Sequence, residues 1–186
     1  MPLIVEDGTD ISCANSYIDL EDIRTFASNR NYDISTFDDS ALEGWAFRAM
    51  DYLESFRDRF KGSKTNANQD LQFPRKVNPD PIDVWTTGFR DSSQSSLIEI
   101  DGIPIPNNVI PVLVKNAQCQ LVIELSRGVD LLPTTFPNKN VQKQTVGPIT
   151  TVYFDNDPAP LLPAFEAFIT PLLAATGGAF ITTVRV

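Results

Sequence analysis

Apolar side chains recur at steps of three and four residues in two long stretches of the chain. The first stretch predicts a helix over residues 39–60, with charged side chains largely on the opposite face. Its apolar positions are Leu42, Trp45, Ala46, Ala49, Leu53, Phe56 and Phe60. A stripe rich in aromatic residues is typical of a packed core. We therefore expect this helix to supply the core rather than to hold a cofactor.

The second stretch predicts a helix over residues 108–127. Asn107 or Asn108 can cap it, Pro111 fits its first turn, and Gly128 is suited to end it. Its apolar positions cover more than one face: Ile110, Leu113, Val114, Ala117, Leu121, Val122, Ile123 and Leu125. So broad an apolar surface predicts burial on more than one side, in the core or against a neighbouring subunit.

Two shorter helices are also predicted. Asp19 can cap a helix that fades near residues 29–31, and Asp22 three residues later resembles a capping box. Residues 163–175 carry the pattern of a further helix, which Pro171 is expected to kink or shorten.

Strand patterns are short. Residues 3–5 read as a strand followed by a turn, and residues 141–154 as a β-hairpin around Gly147 and Pro148. The tail, residues 177–186, ends in a strand-like run of β-branched residues. A lone strand must pair with its own sheet, a sister subunit or another protein.

Residues 76–106 are rich in proline, glycine and serine, and they predict an extended arm. Trp85 and Phe89 lie within it. These two aromatic side chains either contact a partner or fold back onto their own domain. Together the patterns predict one domain over residues 1–186, mainly α-helical: a bundle of four to five helices with a small β-hairpin, extended arms and a strand-like C-terminal tail.

Charge is negative overall and unevenly placed. The 186 residues hold 24 acidic and 15 basic side chains, for a net charge of −9. A net-negative domain is repelled by phosphates at a distance, which disfavours binding of free nucleic acid. One basic cluster, Lys61, Lys64, Arg75 and Lys76, offers possible contacts to nucleic acid; the alternative is an ordinary solvated surface.

Candidate chemistry is sparse. The chain has no histidine, so the commonest general base and imidazole metal ligand are missing. Cys13 and Cys119 are expected to be buried, reduced thiols that pack as small hydrophobes. The segment from Lys61 to Thr65 lacks the earlier glycine of a phosphate-binding loop and follows a helix. We expect no enzyme activity, no cofactor, no metal site and no membrane span.

Several short motifs occur in a characteristic order. They are Leu3-Ile4-Val5-Glu6-Asp7-Gly8-Thr9, Asn15-Ser16-Tyr17-Ile18-Asp19-Leu20, Ala49-Met50-Asp51-Tyr52-Leu53, Gln72-Phe73-Pro74-Arg75, Asp101-Gly102-Ile103-Pro104, Ile110-Pro111 and Val146-Gly147-Pro148-Ile149. In order and spacing the chain resembles a family of small tailed-phage neck proteins, head–tail connectors (adaptors) often labelled DnaT-like single-stranded-DNA-binding proteins. Residues 76–100 are longer and richer in serine than the family pattern.

The resemblance implies a structural virion protein. A connector of this kind forms a ring of identical subunits, twelve in the usual case, beneath the portal and continues the DNA channel toward the tail. Its partners would be sister subunits, the portal, tail-completion or stopper proteins, and double-stranded DNA passing without tight binding. It would be assembled in the host cytoplasm and reside in the neck of the virion. The family label implies the alternative, a single-stranded-DNA-binding module.

In the connector hypothesis, the arm and the tail contact the portal or a sister subunit. The residues expected at that contact are Trp85, Phe89, Phe180, Ile181, Val184, Arg185 and Val186.

Overall fold

The computed structural model describes residues 2–77, 98–100, 102–132, 143–146, 149–152 and 162–174, and for 143–146 and 149–152 the backbone alone. Trp85, Phe89 and the tail 177–186 lie outside the described residues. The predictions made for them therefore stay predictions.

Four α-helices occur in these ranges: α1 (Leu20–Asn29), α2 (Asp39–Glu54), α3 (Val112–Ser126) and α4 (Pro163–Ile169), the last followed by a 3₁₀ turn at Thr170–Leu172. The capping prediction for α1 is confirmed. The Asp22 amide donates to the Asp19 carboxylate at 2.7 Å, and the Asp19 amide donates to the Asp22 carboxylate at 3.3 Å. This reciprocal pair satisfies two amides that the first turn leaves without helical partners.

Two of the predicted helix boundaries are wrong. α2 ends at Glu54, and the chain continues through turns to Phe60, which forms an isolated bridge with Leu173. α3 begins only at Val112, with Pro111 in an extended conformation (ψ 137°) and no side-chain cap from Asn107 or Asn108. The helix starts late because a residue before proline avoids the helical conformation.

α3 lies at the centre of the described helices and packs against α1, α2 and α4. The predicted burial of α3 on more than one side is confirmed, because nine of its residues are buried: Val114, Ala117, Gln118, Cys119, Gln120, Leu121, Val122, Ile123 and Leu125. The predicted stripe of α2 also enters the core through Leu42, Ala46, Ala49 and Leu53. Gly128, at φ 84°, ends the last turn of α3 in the left-handed conformation expected of a terminator.

Strands occur as three antiparallel pairs in the described ranges. β1 (Ser63–Lys64) pairs with β2 (Arg75–Lys76), β3 (Ile98–Ile100) with β4 (Ile103–Ile105), and β5 (Lys143–Val146) with β6 (Ile149–Val152). The β5–β6 pair confirms the predicted hairpin, with Val146 opposite Ile149. The predicted strand at residues 3–5 is reduced to a single bridge between Val5 and Ser16.

The prediction of a mainly helical bundle is wrong: the fold is mixed. Non-helical segments fill much of the core, including Tyr17, Phe60, Leu71, Phe73, Ile98 and Ile100. Part of the predicted arm is itself structured, since β3 and β4 lie within residues 98–105 and form a hairpin. Strands of two or three residues are too short to show an alternating pattern, so the sequence did not reveal them.

Candidate functional site

The pairing of β1 with β2 brings the basic cluster together. Lys64 lies opposite Arg75 and Ser63 opposite Lys76, while Lys61 precedes β1 by two residues. The four cations of the sequence prediction therefore share one region of the structure. Their side chains, however, have different surroundings.

Arg75 points inward. Its guanidinium donates from Nε to the Lys61 carbonyl at 2.8 Å, from Nη1 to Oε1 of Gln72 at 2.7 Å, and from Nη2 to the Gly62 carbonyl. The side chain is buried, and its guanidinium lies 5.6 and 5.9 Å from the ring centroids of Phe60 and Phe73. Burial lowers the pKa of Arg75 from its ordinary value. This cation ties the β1 and β2 segments together, and its donors do not face solvent.

The three lysines lie nearer the surface and donate to backbone carbonyls of adjacent segments. Lys64 Nζ reaches the carbonyls of Gln69 at 2.9 Å and Asp70 at 3.3 Å. Lys76 Nζ donates to the Thr65 carbonyl at 3.0 Å, and Lys61 Nζ lies 3.4 Å from the Glu99 carbonyl. A partly exposed hydrogen bond contributes only about 1 kcal/mol net, so the lysines could exchange these carbonyls for other acceptors.

The segment that carries Arg75 is anchored to the helical core. Gln72 donates through its amide N–H and through Nε2 to the Glu54 carboxylate, both at 3.2 Å. The Phe73 amide donates to the hydroxyl oxygen of Tyr17 at 2.9 Å. Tyr17 is buried, and that burial raises the pKa of its phenol well above the ordinary value. The motif Gln72-Phe73-Pro74-Arg75 thus has a structural role.

A buried glutamate organises the loop after the first bridge, and sequence reasoning missed it. The Glu6 carboxylate accepts from the amides of Gly8 at 2.8 Å, Asp10 at 3.0 Å and Ile11 at 2.9 Å. Gly8 has φ 107°, and a Cβ there would stand 2.0 Å from the Asn108 carbonyl oxygen. The available signal was the Glu-Asp-Gly turn, which places an acceptor beside several amides without helical or strand partners.

Gln118 connects this N-terminal region to the helices. Its Oε1 accepts from the Tyr17 amide at 2.9 Å, and its Nε2 donates to Ser16 Oγ at 2.9 Å and to the Ala46 carbonyl at 3.2 Å. Gln118 is fully buried. A buried amide of this kind costs free energy unless every polar atom is paired, and here both ends are paired. The motif around Ser16 and Tyr17 is therefore held by α3 and α2.

Each of the other basic side chains in the described ranges also has a partner within the chain. Four form ion pairs, three of them at 3.4 Å or less: Arg24 with Asp39, Arg48 with Asp130, Arg127 with Glu124, and Lys115 with Asp22 at 4.0 Å. Arg30 stacks on Phe26 and Arg59 on Phe56, and Arg57 donates to the Glu54 carbonyl. The described ranges hold 11 basic and 18 acidic side chains with described surroundings, so the described surface carries an acidic excess.

The two cysteines differ from each other. Cys119 is buried in α3, and burial raises the pKa of its thiol to about 12. Cys13 is exposed, so the prediction that both thiols are buried is wrong for Cys13. Cys13 sits in a turn at φ 61°, where its amide donates to the Asp70 carboxylate at 2.7 Å.

The described residues contain no group of three or more metal-ligating side chains. In the same part of the chain, no helix is long and apolar enough to cross a membrane. An open groove of about 370 Å³ lies at the end of α1, lined by Arg24, Ser28, Asn31, Tyr32, Asp33 and Ser35 among others. Asp33 accepts from the amide and hydroxyl of Ser35, bonds that lower its pKa, while Arg24 is bonded to Asp39.

Comparison with protein families gives a match over most of the chain. Residues 1–85 and 95–186 match the family described as "Putative DnaT-like ssDNA binding protein", and the chain belongs to that family. The unmatched residues 86–94 fall inside the segment predicted to be longer than the family pattern. Comparisons with curated proteins and with solved structures give no match.

Proposed function

We propose that this chain is a self-assembling structural subunit, a head–tail connector of a tailed phage, and that its function does not depend on tight binding of nucleic acid. The observation that carries the proposal is the use of the basic side chains. Arg75 is committed to the fold, and each other described cation has an intrachain partner. Binding of a nucleic acid requires cations that replace the counterions of the phosphates, and here the cations already have partners within the chain.

The acidic excess supports the same proposal. Among the residues whose surroundings are described, 18 carboxylates against 11 cations produce a field that repels phosphates beyond the range of individual contacts. Screening reduces this repulsion over about 8 Å at physiological ionic strength but does not reverse its sign. A surface with an acidic excess is compatible with a channel or collar through which DNA passes without binding. The assignment to the phage neck itself rests on the resemblance of the sequence motifs.

The second candidate is single-stranded-DNA binding, and the family's description favours it more directly than it favours a connector. The side chains able to serve it are Lys61, Lys64 and Lys76, because their bonds to carbonyls are weak and near the surface. Three lysines without exposed stacking aromatics in the described ranges form a limited site, since single-strand binders combine cations with stacking platforms.

A test of the connector proposal is electron microscopy of the full chain alone and mixed with a portal protein from a related tailed phage. We expect rings, either free or seated on the portal. Particles that remain single subunits in both samples would contradict the proposal.

A titration with a fluorescent single-stranded oligonucleotide tests the second candidate. The K64Q/K76Q double variant removes two cations from the cluster, while K115Q serves as the matched control outside it. If the cluster binds DNA, affinity falls steeply with salt, and each cation removed from a phosphate lowers the salt slope by about 0.7. The same weak signal for all three proteins would remove the cluster from consideration.

A further inference from the structure

The residues that follow α4 lie along the segment that leads into β1. We call residues 172–174 the strap. The Lys61 amide donates to the Leu172 carbonyl at 3.0 Å, and the Ala174 amide donates to the Arg59 carbonyl at 2.7 Å. Two reciprocal bonds of this kind are the pattern of antiparallel strands. The strap is therefore paired, over a very short length, with the segment before β1.

Side chains of these two segments pack against the motif that carries Arg75. Phe60, which forms a bridge with Leu173, has its ring centroid 5.0 Å from that of Phe73. Leu172 lines a small cleft together with Phe73 and Arg75, among others. The volume of the cleft is about 10 Å³, which is about the room that one water molecule needs. Because this packing leaves so little space, a displacement of the strap changes the contacts of Arg75.

The segment before β1 is bonded on both sides. Lys61 donates to the strap through its amide, and its carbonyl accepts from Arg75 Nε at 2.8 Å. The next carbonyl, that of Gly62, accepts from Nη2 of the same guanidinium. Arg75 in turn stands opposite Lys64 in the β1–β2 pair. A continuous set of hydrogen bonds therefore joins the strap to the strands that carry the basic cluster.

The strap has features of a segment that can open locally. Exposure rises along it, because Leu172 is buried, Leu173 half-buried and Ala174 exposed. The preceding helix, α4, has seven residues and no side-chain cap, and a helix this short has little stability of its own. Segments with few buried contacts open at a lower free-energy cost than the whole domain unfolds. Opening from the Ala174 end is therefore a small local transition.

We propose that the strap controls the position of the basic cluster. While the strap is paired, it holds the Lys61 carbonyl where Arg75 bonds it. When the strap opens, the bonds of Arg75 loosen, and the β1–β2 pair with Lys64 becomes free to move. Energetic coupling is reciprocal, so loss of the Arg75 bonds also loosens the strap. This inference goes beyond the proposed function and does not depend on it, because it rests on contacts within one copy.

A full-length Ala174→Pro variant opens the strap with little other change. Proline removes the amide that donates to the Arg59 carbonyl, and the buried side chain of Leu172 stays as it is. Leu173 is extended (φ −83°, ψ 144°), which is the conformation that a residue before proline favours. Ala174→Ser is the matched control, because the position is exposed and serine keeps the amide.

Hydrogen exchange followed by nuclear magnetic resonance measures the coupling at single N–H groups. In Ala174→Pro we expect exchange of the Arg75 Nε–H, and of the Thr65 amide that bonds across to the residue before Arg75, to be faster by at least about tenfold. The Tyr17 amide, which donates to Gln118 in the helical core, should exchange as in the control. In the reverse direction, Arg75→Met should speed exchange of the Ala174 amide by a similar factor.

Unchanged exchange of the Arg75 Nε–H in Ala174→Pro would overturn the proposal. Faster exchange at every amide, that of Tyr17 included, would also overturn it, because it would show a global loss of stability instead of a local opening. Urea unfolding gives a second measurement. The drop in midpoint caused by Ala174→Pro should be smaller in the Arg75→Met background than in the unsubstituted chain, and equal drops would contradict the coupling.

Discussion

Replacing Arg75 with methionine removes the guanidinium while keeping a side chain of comparable length. Four oxygens are then left without that donor: the carbonyls of Lys61, Gly62 and Gln72, and Oε1 of Gln72. A buried acceptor left without a partner costs about 1–3 kcal/mol. Removal of a buried charge returns part of that cost, because the cation no longer has to be desolvated.

We expect the Arg75→Met variant to be less stable by about 3 kcal/mol, which is a large part of the 5–15 kcal/mol typical of a domain. Urea unfolding followed by circular dichroism measures the change as a lower midpoint at constant slope. Lys76→Gln is the matched control, because Lys76 lies in the same strand and its one bond is exposed. The control should be destabilised by no more than about 1 kcal/mol.

A destabilisation below about 1 kcal/mol in Arg75→Met would refute the structural role assigned to this cation. Arg75→Lys sharpens the test, because a single ammonium nitrogen cannot reach four acceptors spread around the planar fork of a guanidinium. Stability equal to that of the unsubstituted chain in Arg75→Lys would also contradict the account.

Four further predictions follow from individual residues. A thiol reagent at pH 8 should label the native chain once, at Cys13, and the urea-unfolded chain twice, by mass spectrometry; two labels on the native chain would contradict the burial of Cys119. Because the pKa of Cys119 is about 12 in the folded chain and about 8.5 in an unfolded one, its contribution to stability is complete below about pH 8.5 and is lost as pH rises toward 12. Gly8→Ala should lower the free energy of unfolding by several kcal/mol or prevent folding, because φ of Gly8 is 107° and the new methyl would overlap the Asn108 carbonyl oxygen. A thermal midpoint within about 2 °C of that of the unsubstituted chain would contradict this close approach of Gly8 to Asn108. Tyr17→Phe should cost about 1–3 kcal/mol by leaving the buried Phe73 amide without its acceptor, and urea unfolding with no change in midpoint would contradict that bond.

The sequence predicted elements whose signals are local. The cap of α1 depends on two carboxylates three residues apart, and the β5–β6 hairpin on the Gly147-Pro148 connection between two segments with partial alternation of apolar and polar residues. The apolar stripes of α2 and α3 extend over 15 residues or more, so the sequence alone predicts that they are buried. Each of these features is decided by neighbours in the chain.

The bundle prediction failed where distant segments decide the structure. β1 and β2 have two residues each and are joined by a buried arginine side chain, an arrangement without a sequence period. The helical patterns also gave no reason to expect Phe73 and Ile98 in the core, and they placed Phe60 there only as part of a helix that ends before it. Periodicity detects helices and strands that bury side chains at a regular spacing. Each of these residues instead contributes one side chain to the core from a segment without such a spacing.

The basic cluster shows the same limit for the candidate site. Four cations within 16 positions predicted a surface that could meet phosphates, and the structure does bring them together. Composition could not show that Arg75 turns inward while the lysines remain near the surface. The available signal was the placement of Arg75 after Gln72 and Phe73, which gives a polar side chain an amide partner among aromatic rings.

The most direct test of the account is the affinity of the full chain for a single-stranded oligonucleotide at about 0.15 M salt, measured by fluorescence anisotropy. Since Arg75 is buried in the fold and the described residues carry an acidic excess, we predict no saturable binding at micromolar protein. Saturable binding that weakens steeply with salt, and that is abolished in K64Q/K76Q but kept in K115Q, would contradict the central claim.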